Sequence, residues 1–152
     1  MKKLKTKNKI PTDYIVAYDD ESAIPLNPEI YHKLTKSARD YFFQVQKLDG
    51  STAVKQIKNR GKILLLVYPA PGNMALDIVK SYAQFPENNL LVFVGEGLGG
   101  ANGNSDFFEY LKNVDEDGNS WVLLESLNVP QVEGGGKGGE KVFIFQKVKL
   151  NQ

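Results

Sequence analysis

The sequence predicts an α/β fold built on a doubly wound, mostly parallel sheet that ends in an antiparallel strand pair. Residues 63–67 and 90–94 are apolar at every position, which is typical of strands buried on both faces of a parallel sheet. Predicted strands and helices alternate up to about residue 126. The last two strands start at Ser120 and Lys141 with no helix between them, so we expect them to pair antiparallel at the edge of the sheet.

The first part of the chain supplies two strands and two short helices. Residues 14–19 and 41–46 are rich in β-branched and aromatic side chains, and each run predicts a strand. Asn27 and Pro28 between these strands are suited to the N-cap and first position of a helix. A brief helix capped by Ser51 follows, with an apolar side formed by Ala53, Val54 and Ile57.

The second part repeats the strand and helix alternation. Pro69, Pro71 and Gly72 end the strand at residues 63–67. The next helix is predicted from an apolar stripe that needs a sheet to cover, formed by Met74, Ala75, Ile78, Val79 and Tyr82. Asp106 and Glu109 have the spacing of a capping box for the following helix, whose apolar side chains are Phe107, Phe108 and Leu111.

Length and charge indicate one ordinary globular domain. With 152 residues the chain has room for one core, which we assign to residues 13–152 after a basic flexible tail at residues 1–12. The formal net charge of +1 gives no field that would attract nucleic acid or a membrane. The lysines of the tail are the only nucleic-acid signal, and a solvated terminus is the favoured interpretation because no aromatic residue lies among them.

Several kinds of chemistry are excluded by residue content. The chain has no cysteine, so disulfides, thiolate zinc sites and cysteine nucleophiles cannot occur, and a cytoplasmic location is expected. No apolar run approaches the roughly 20 residues that span a bilayer. His32 is the only histidine and is expected at the surface, while the acidic residues 115–117 lack the spacing of a calcium loop and predict a turn. We therefore expect no metal site.

The glycines after the strand at residues 90–94 allow two interpretations. Gly95, Gly97 and Gly100 match the G-x-G-x-x-G pattern of a dinucleotide-binding turn, and Glu125 is the acidic residue that such a turn requires further on. In a dinucleotide-binding fold, however, the turn opens directly into a helix, and here residues 101–105 intervene. A loop at the carboxyl end of a strand is favoured, at the edge where open α/β sheets bind ligands.

Several segments, taken in order, resemble one known family. They are VAYD (16–19), LLLVYPAPGNMALD (64–77), LVFVGEGLGG (91–100), the Phe107 and Phe108 pair, and the spacing from Trp121 to Pro130 and Gln131. These segments resemble the later part of S-adenosylmethionine-dependent methyltransferase-like proteins, from about residue 14 onward. The resemblance implies a Rossmann-like sheet, and it makes S-adenosylmethionine the candidate cofactor.

The resemblance also implies roles for particular residues. Asp19 would accept hydrogen bonds from the cofactor ribose, with Pro69 beside the cofactor, while Tyr68 and Glu96 would be the catalytic pair. A substrate-side loop would comprise Pro71, Gly72, Gly97, Gly99 and Gly100. Tyr68 departs from the Asn or Asp of amino-methylating relatives. A solvated Asp19, a solvated Glu96 and purely structural prolines are the alternatives.

The glycine-rich cofactor loop of that family has no counterpart in this sequence. Only thirteen residues precede Tyr14, without a glycine, whereas a strand and helix need about 20 residues or more. We expect an incomplete fold that begins at its second strand. Two functions remain open: a non-catalytic interaction or structural protein whose exposed edge is covered by self-association or a partner chain, and part of a split or truncated S-adenosylmethionine-dependent methyltransferase acting on a small molecule or macromolecule.

Overall fold

The first unit of the chain contains a pair of parallel strands. A computed structural model describes residues 14–20, 45–130 and 139–150. The chain divides into two units, residues 1–50 and residues 51–152. In the first unit, β1 (Ala17–Asp19) pairs in parallel with β2 (Val45–Lys47). Several sequence predictions concern residues outside the described ranges. These are the basic tail, the helix after Asn27, His32, the start of the strand at residues 41–46 and residues 131–138.

The second unit contains a four-stranded mixed sheet, which confirms the α/β class. Its strand order is β3-β4-β6-β5, with β3 parallel to β4 and β6 antiparallel to both of its neighbours. The terminal antiparallel pair is confirmed, although β6 lies inside the sheet and β5 forms its edge. The elements in chain order are α1 (Gly50–Lys55), a 3-10 turn (Ile57–Asn59), β3 (Leu64–Val67), α2 (Met74–Ala83), β4 (Leu90–Glu96), α3 (Ser105–Lys112), β5 (Asn119–Asn128) and β6 (Glu140–Lys149).

Helix α3 begins at a different residue from the one that the sequence pattern indicated. Asn104 is its N-cap, and the Asn104 side-chain oxygen accepts a hydrogen bond of 2.9 Å from the Phe107 backbone N–H. Asp106 lies inside the first turn, where its negative charge complements the helix dipole. The predicted capping box of Asp106 and Glu109 is therefore wrong by two residues, because asparagine caps as well as aspartate does.

The core of this unit lies on one face of the sheet. Phe93 of β4 is fully buried, and its ring centroid lies 5.3 Å from that of Phe107 and 5.6 Å from that of Phe108. Phe143 of β6 completes the aromatic group at 5.9 Å. Side chains of α2 and α3 belong to the same hydrophobic cluster, and Val54 of α1 packs against it. All three helices thus contribute to a single core on what we call the inner face.

The opposite, outer face of the sheet is apolar and accessible. Leu65 and Val67 of β3 are 57% and 52% exposed, so the prediction that this strand is buried on both faces is wrong. The helices of this unit all contribute to the inner core, which leaves the alternate side chains of β3 uncovered by them. By strand register, the outer face includes Leu65, Val67, Val92, Val94, Val122, Val142, Ile144 and Leu127, together with the polar Glu125 and Gln146, and its residues on β4 and β6 are only partly exposed.

Buried polar groups bind the end of α2 to the amino-terminal ends of the strands. The Tyr82 hydroxyl donates to the Lys62 carbonyl oxygen at 2.7 Å, and the Asn88 side-chain amide donates to the Tyr82 carbonyl oxygen at 3.0 Å. Lys147 of β6 points to the inner face and donates from Nζ to the carbonyl oxygens of Ala83 at 2.7 Å and Phe85 at 3.1 Å. Burial raises the pKa of Tyr82 and lowers the pKa of Lys147.

Removing the Lys147 ammonium group should destabilise the fold. We expect Lys147→Met to lower the free energy of unfolding by about 1 kcal/mol, because two carbonyl oxygens at the end of α2 lose a charged donor while the apolar stem is retained. Chemical denaturation measures the loss. The control is Lys149→Met on the same strand, where the side chain is exposed and the stability should not change. Equal effects of the two substitutions would contradict this role.

An acid-sensitive turn joins α3 to β5. Burial opposes ionisation of Asp115, but the pKa of Asp115 is nevertheless held below its ordinary value. The carboxylate is stabilised by hydrogen bonds from the Asn119 side chain, the Asn119 backbone and the Asp117 backbone, and by the positive charge of Lys147. A lowered folded-state pKa stabilises the fold above the unfolded-state pKa, and that stabilisation is lost as the pH falls through the folded-state value. We expect the stability of Asp115→Asn to vary less with pH below about pH 4 than that of the parent chain. Denaturation at a series of acidic pH values measures this, and parallel curves would contradict it.

Candidate functional site

The candidate site lies where the carboxyl ends of β3 and β4 meet. The Pro69 carbonyl oxygen, just after β3, accepts hydrogen bonds from the Gly103 backbone N–H at 3.3 Å and the Asn102 side-chain amide at 3.4 Å. These bonds join the proline turn after β3 to the glycine loop after β4. Two neighbouring parallel strands therefore end in loops that hold each other in place, at the edge where open α/β sheets bind ligands.

The glycine loop is closed by its own side chains. The Glu96 carboxylate accepts a hydrogen bond of 2.7 Å from the Ala101 N–H, and the Glu96 N–H donates to the Asn102 side-chain oxygen at 3.1 Å. A Cβ atom at Gly100 would lie 2.2 Å from the Glu96 Cβ, and one at Gly95 would lie 2.8 Å from the Asn102 side-chain oxygen. Both glycines are needed because the Glu96 and Asn102 side chains occupy the space beside them.

Helices α2 and α3 begin at the same edge of the sheet. Asn73, the N-cap of α2, makes no side-chain cap bond to its own helix, and its side-chain oxygen instead accepts from the Asn104 side-chain amide at 2.7 Å. Asn104 caps α3 with its own side-chain oxygen. The two helix starts are thus linked through a pair of asparagine side chains. Four residues separate Gly100 from the first residue of α3 at Ser105, so the glycines do not open the helix as a dinucleotide-binding turn would.

Tyr68 has a backbone conformation that tyrosine rarely adopts. Its φ angle is +46°, in the left-handed region that costs a side-chain-bearing residue about 1–2 kcal/mol. The Tyr68 N–H donates to the Val94 carbonyl oxygen at 2.8 Å, and the buried Pro69 follows it, so the neighbouring structure holds the residue in place. The Tyr68 side chain is 46% exposed. Backbone strain of this kind is concentrated at functional sites, which directs attention to this tyrosine.

The strain at Tyr68 can be measured by comparing two small residues. We expect Tyr68→Gly to be more stable than Tyr68→Ala by about 1 kcal/mol, because both lose the ring and only alanine retains the left-handed penalty. The same pair at Val67, an exposed strand residue, should show the opposite order, since glycine weakens an ordinary strand. Thermal or chemical denaturation supplies the values. Alanine matching or exceeding glycine at position 68 would contradict the strain.

The structure brings several of the predicted site residues to one edge. Tyr68, Pro69 and Glu96 lie at the ends of adjacent strands. Of the predicted substrate-side loop, Pro71 and Gly72 lie in the turn before α2, while the other three residues belong to the glycine loop: Gly97, Gly99 and Gly100. Asp19 is the last residue of β1, in the first unit, with Lys47 as its register partner.

The residues present fit a closed structural loop better than a cofactor site. The Pro69 carbonyl oxygen already accepts two hydrogen bonds, and the Glu96 carboxylate already accepts one from its own loop. The Pro69 carbonyl therefore has no acceptor position left for a ligand, whereas the Glu96 carboxylate keeps its other oxygen. We derive no methyl-transfer step through them. Among residues 14–20, 45–130 and 139–150, no group of three or more acidic, histidine or cysteine side chains is placed to hold a metal ion.

The asparagines of this site were not predicted. Asn102 and Asn104 each make two side-chain hydrogen bonds that hold the loop or cap α3, and Asn73 joins them through Asn104. The signal was present in the segment ANGNSD, because asparagine and glycine together are typical of turns and helix caps. A small cavity of about 30 Å³, lined by Tyr110, Asp115 and Trp121 among others, lies away from this edge and has room for about one water molecule.

The fold and this edge define an α/β protein with a mixed sheet and loops at the carboxyl ends of its parallel strands. Searches of family models, curated proteins and solved structures found no match. Within the described parts of the chain, no helix is long and apolar enough to cross a membrane. Function must therefore be inferred from the sheet and its edges.

Proposed function

We propose that this chain is a Rossmann-like, methyltransferase-like domain that acts as a non-catalytic interaction or structural protein, with the free edge of β3 as its docking edge. The observation that carries the proposal is the pairing of β3. Among the described strands only β4 pairs with it, and the edge strand has the sequence LLLV, with no charge, proline or bulge. Natural proteins use those features to block edge pairing, so this edge is suited to accept another strand.

The strand order supports the methyltransferase-like assignment. In the four-stranded sheet, β3, β4 and β5 share one direction and the reversed β6 lies between β4 and β5. The sheet that the resemblance implies lacks its central first strand, which would leave an exposed strand edge, and β3 has such an edge among the described strands.

The loop chemistry supports a non-catalytic role. The carboxylate of Glu96 and the carbonyl of Pro69 are both engaged within the fold, and Gly95 and Gly100 serve close packing of that loop. A self-association partner or another chain would meet the domain at β3 instead. This occupant would add backbone hydrogen bonds to a strand edge, the mode known as β-augmentation.

Amide exchange tests the docking edge directly. Because the Tyr68 N–H points to β4 and successive N–H groups alternate along a strand, those of Leu65 and Val67 point away from β4. We expect these two amides to exchange rapidly in the purified chain while that of Leu66 is protected, and an apolar strand peptide to slow both. Protection of Leu65 and Val67 in a monomeric chain without peptide would overturn the proposal.

A second candidate is part of a split S-adenosylmethionine-dependent methyltransferase. The strained and exposed Tyr68 favours it, because strain at the carboxyl end of a strand is more typical of active sites than of inert loops. Titration calorimetry with S-adenosylhomocysteine separates the two candidates. Micromolar binding that Asp19→Ala abolishes would support the enzyme, whereas no heat at millimolar ligand would support the non-catalytic role.

A further inference from the structure

Asn102 and Gly103, in the glycine loop, form the only Asn–Gly pair in the sequence. The fold uses both residues. The Asn102 side chain occupies the space beside Gly95, where a Cβ atom would lie 2.8 Å from the Asn102 side-chain oxygen. Gly103 has a φ angle of +70°, in the left-handed region that favours glycine, and a Cβ atom there would lie 3.3 Å from the Phe107 ring. The loop thus depends on a pair of residues that is also chemically reactive.

An Asn–Gly pair can react with itself without an enzyme. The Gly103 backbone nitrogen loses its proton and attacks the Asn102 side-chain carbon Cγ, since glycine has no Cβ to hinder the approach. A bond forms between these two atoms, the Cγ–Nδ2 bond breaks, and ammonia leaves with the proton that the Gly103 nitrogen gave up. Water then opens the resulting succinimide ring at either of its carbonyl carbons. The product at position 102 is aspartate, or isoaspartate when the main chain continues through Cγ.

One carbonyl oxygen holds both reacting groups in the folded chain. The Pro69 carbonyl oxygen accepts from the Gly103 N–H at 3.3 Å and from the Asn102 Nδ2 at 3.4 Å. The Asn102 side-chain oxygen accepts from the Glu96 N–H at 3.1 Å, so both ends of the amide are engaged. While these bonds persist, the Gly103 nitrogen keeps its proton and the Asn102 side chain is not free to rotate toward it. Attack therefore requires that the loop first opens locally.

We propose that Asn102 is a spontaneous modification site, at which deamidation after local opening permanently unlocks the glycine loop from the proline turn. Aspartate retains an oxygen that can accept from the Glu96 N–H. Its second oxygen replaces the Nδ2 donor and faces the Pro69 carbonyl oxygen, which is an acceptor only. Isoaspartate lengthens the backbone between Glu96 and Asn104, the cap of α3. Both products remove the side-chain bond to Pro69, and this inference does not depend on the docking edge at β3.

Ageing of the intact chain tests whether the fold controls the reaction. The purified chain is kept at mildly alkaline pH, folded or in urea, and peptide mapping by mass spectrometry follows the conversion of each asparagine. In urea we expect Asn102 to be converted before every other asparagine, and in the folded chain we expect its conversion to be at least about tenfold slower but measurable. Gly100→Ala, which forces the loop apart, should speed conversion in the folded chain, whereas the control Gly97→Ala should not.

A variant that carries the product tests whether conversion unlocks the loop. In Asn102→Asp we expect the Gly103 amide, which donates to Pro69 in the parent chain, to exchange with solvent at least about tenfold faster. The control is Asn128→Asp at the exposed end of β5, which makes the same change of charge and should leave Gly103 exchange unchanged. Amides between β4 and β6 should stay protected in both variants, which separates local opening from global unfolding.

Each measurement can overturn the proposal. Equal rates of Asn102 conversion in the folded chain and in urea would show that the Pro69 bonds do not restrain the reacting groups. No conversion in the folded chain, while the chain in urea is converted completely, would show that the loop never opens. Gly103 exchange as slow in Asn102→Asp as in the parent would show that conversion leaves the loop closed. If Asn102→Asp does not fold, the same exchange is measured on the aged parent chain, and unchanged Gly103 protection there has the same meaning.

Discussion

Phe93→Ala should lower the free energy of unfolding by about 3–5 kcal/mol, the largest effect that we expect of a single substitution in this chain. Phe93 is fully buried at the centre of the sheet, with aromatic neighbours on α3 and β6. Alanine would leave a cavity among rings that cannot close up, because the surrounding side chains belong to different elements. Domains of this size are stable by only about 5–15 kcal/mol, so the variant should be marginal or unfolded at room temperature.

Urea denaturation monitored by far-ultraviolet circular dichroism measures this loss. Leu98→Ala is the control, since Leu98 is a large aliphatic residue in the glycine loop that is 56% exposed, and its removal should change stability by less than about 0.5 kcal/mol. Losing less than about 1 kcal/mol on Phe93→Ala would show that the β4 side chain does not organise the core described above.

The sequence predicted the elements well because their signals are local. Apolar runs, the stripe of α2 and the Phe107 and Phe108 pair each reflect burial along a few consecutive residues, and these elements formed within about two residues of the expected positions. The terminal antiparallel pair followed from the missing helix between Ser120 and Lys141. What the sequence could not specify was which faces these elements cover, because that depends on where helices distant along the chain pack.

Two errors illustrate this limit. An all-apolar β3 suggested burial on both faces, yet its alternate side chains lie on a face that none of the three helices covers. The sequence pattern predicts that Ile57 lies on the apolar side of a helix, yet the helix ends at Lys55 and Ile57 is 81% exposed in the 3-10 turn that follows. In both cases the pattern predicts burial from hydrophobicity alone, although apolar side chains also form interaction surfaces.

The sequence predicted that the proline turn and the glycine loop lie at one edge of the sheet, but not the hydrogen bonds that join them. The proline turn and the glycine loop meet as expected, because the carboxyl ends of neighbouring parallel strands share an edge. The conformation of Tyr68 and the bonds of Asn102 could not be predicted, since each depends on a contact across more than 20 residues of sequence, to Val94 and to Pro69. Lys147 is a similar case, because its hydrogen-bond partners at the end of α2 lie 64 and 62 residues away in the sequence.

The glycine loop gives the second large effect. We expect Gly100→Ala to destabilise the chain by about 2 kcal/mol, because the new Cβ would lie 2.2 Å from the Glu96 Cβ and would force apart the loop that the Glu96 carboxylate closes on the Ala101 N–H. Gly97→Ala is the matched control in the same loop. Its Cβ would meet only the Phe143 ring at 3.4 Å, an ordinary contact, and its stability should be nearly that of the parent chain. Denaturation of both variants, with the Ala101 amide followed by hydrogen exchange, measures the difference. If Gly100→Ala is as stable as Gly97→Ala and keeps the Ala101 amide protected, the glycines do not serve the closed loop, and the ligand-binding interpretation of this edge gains support.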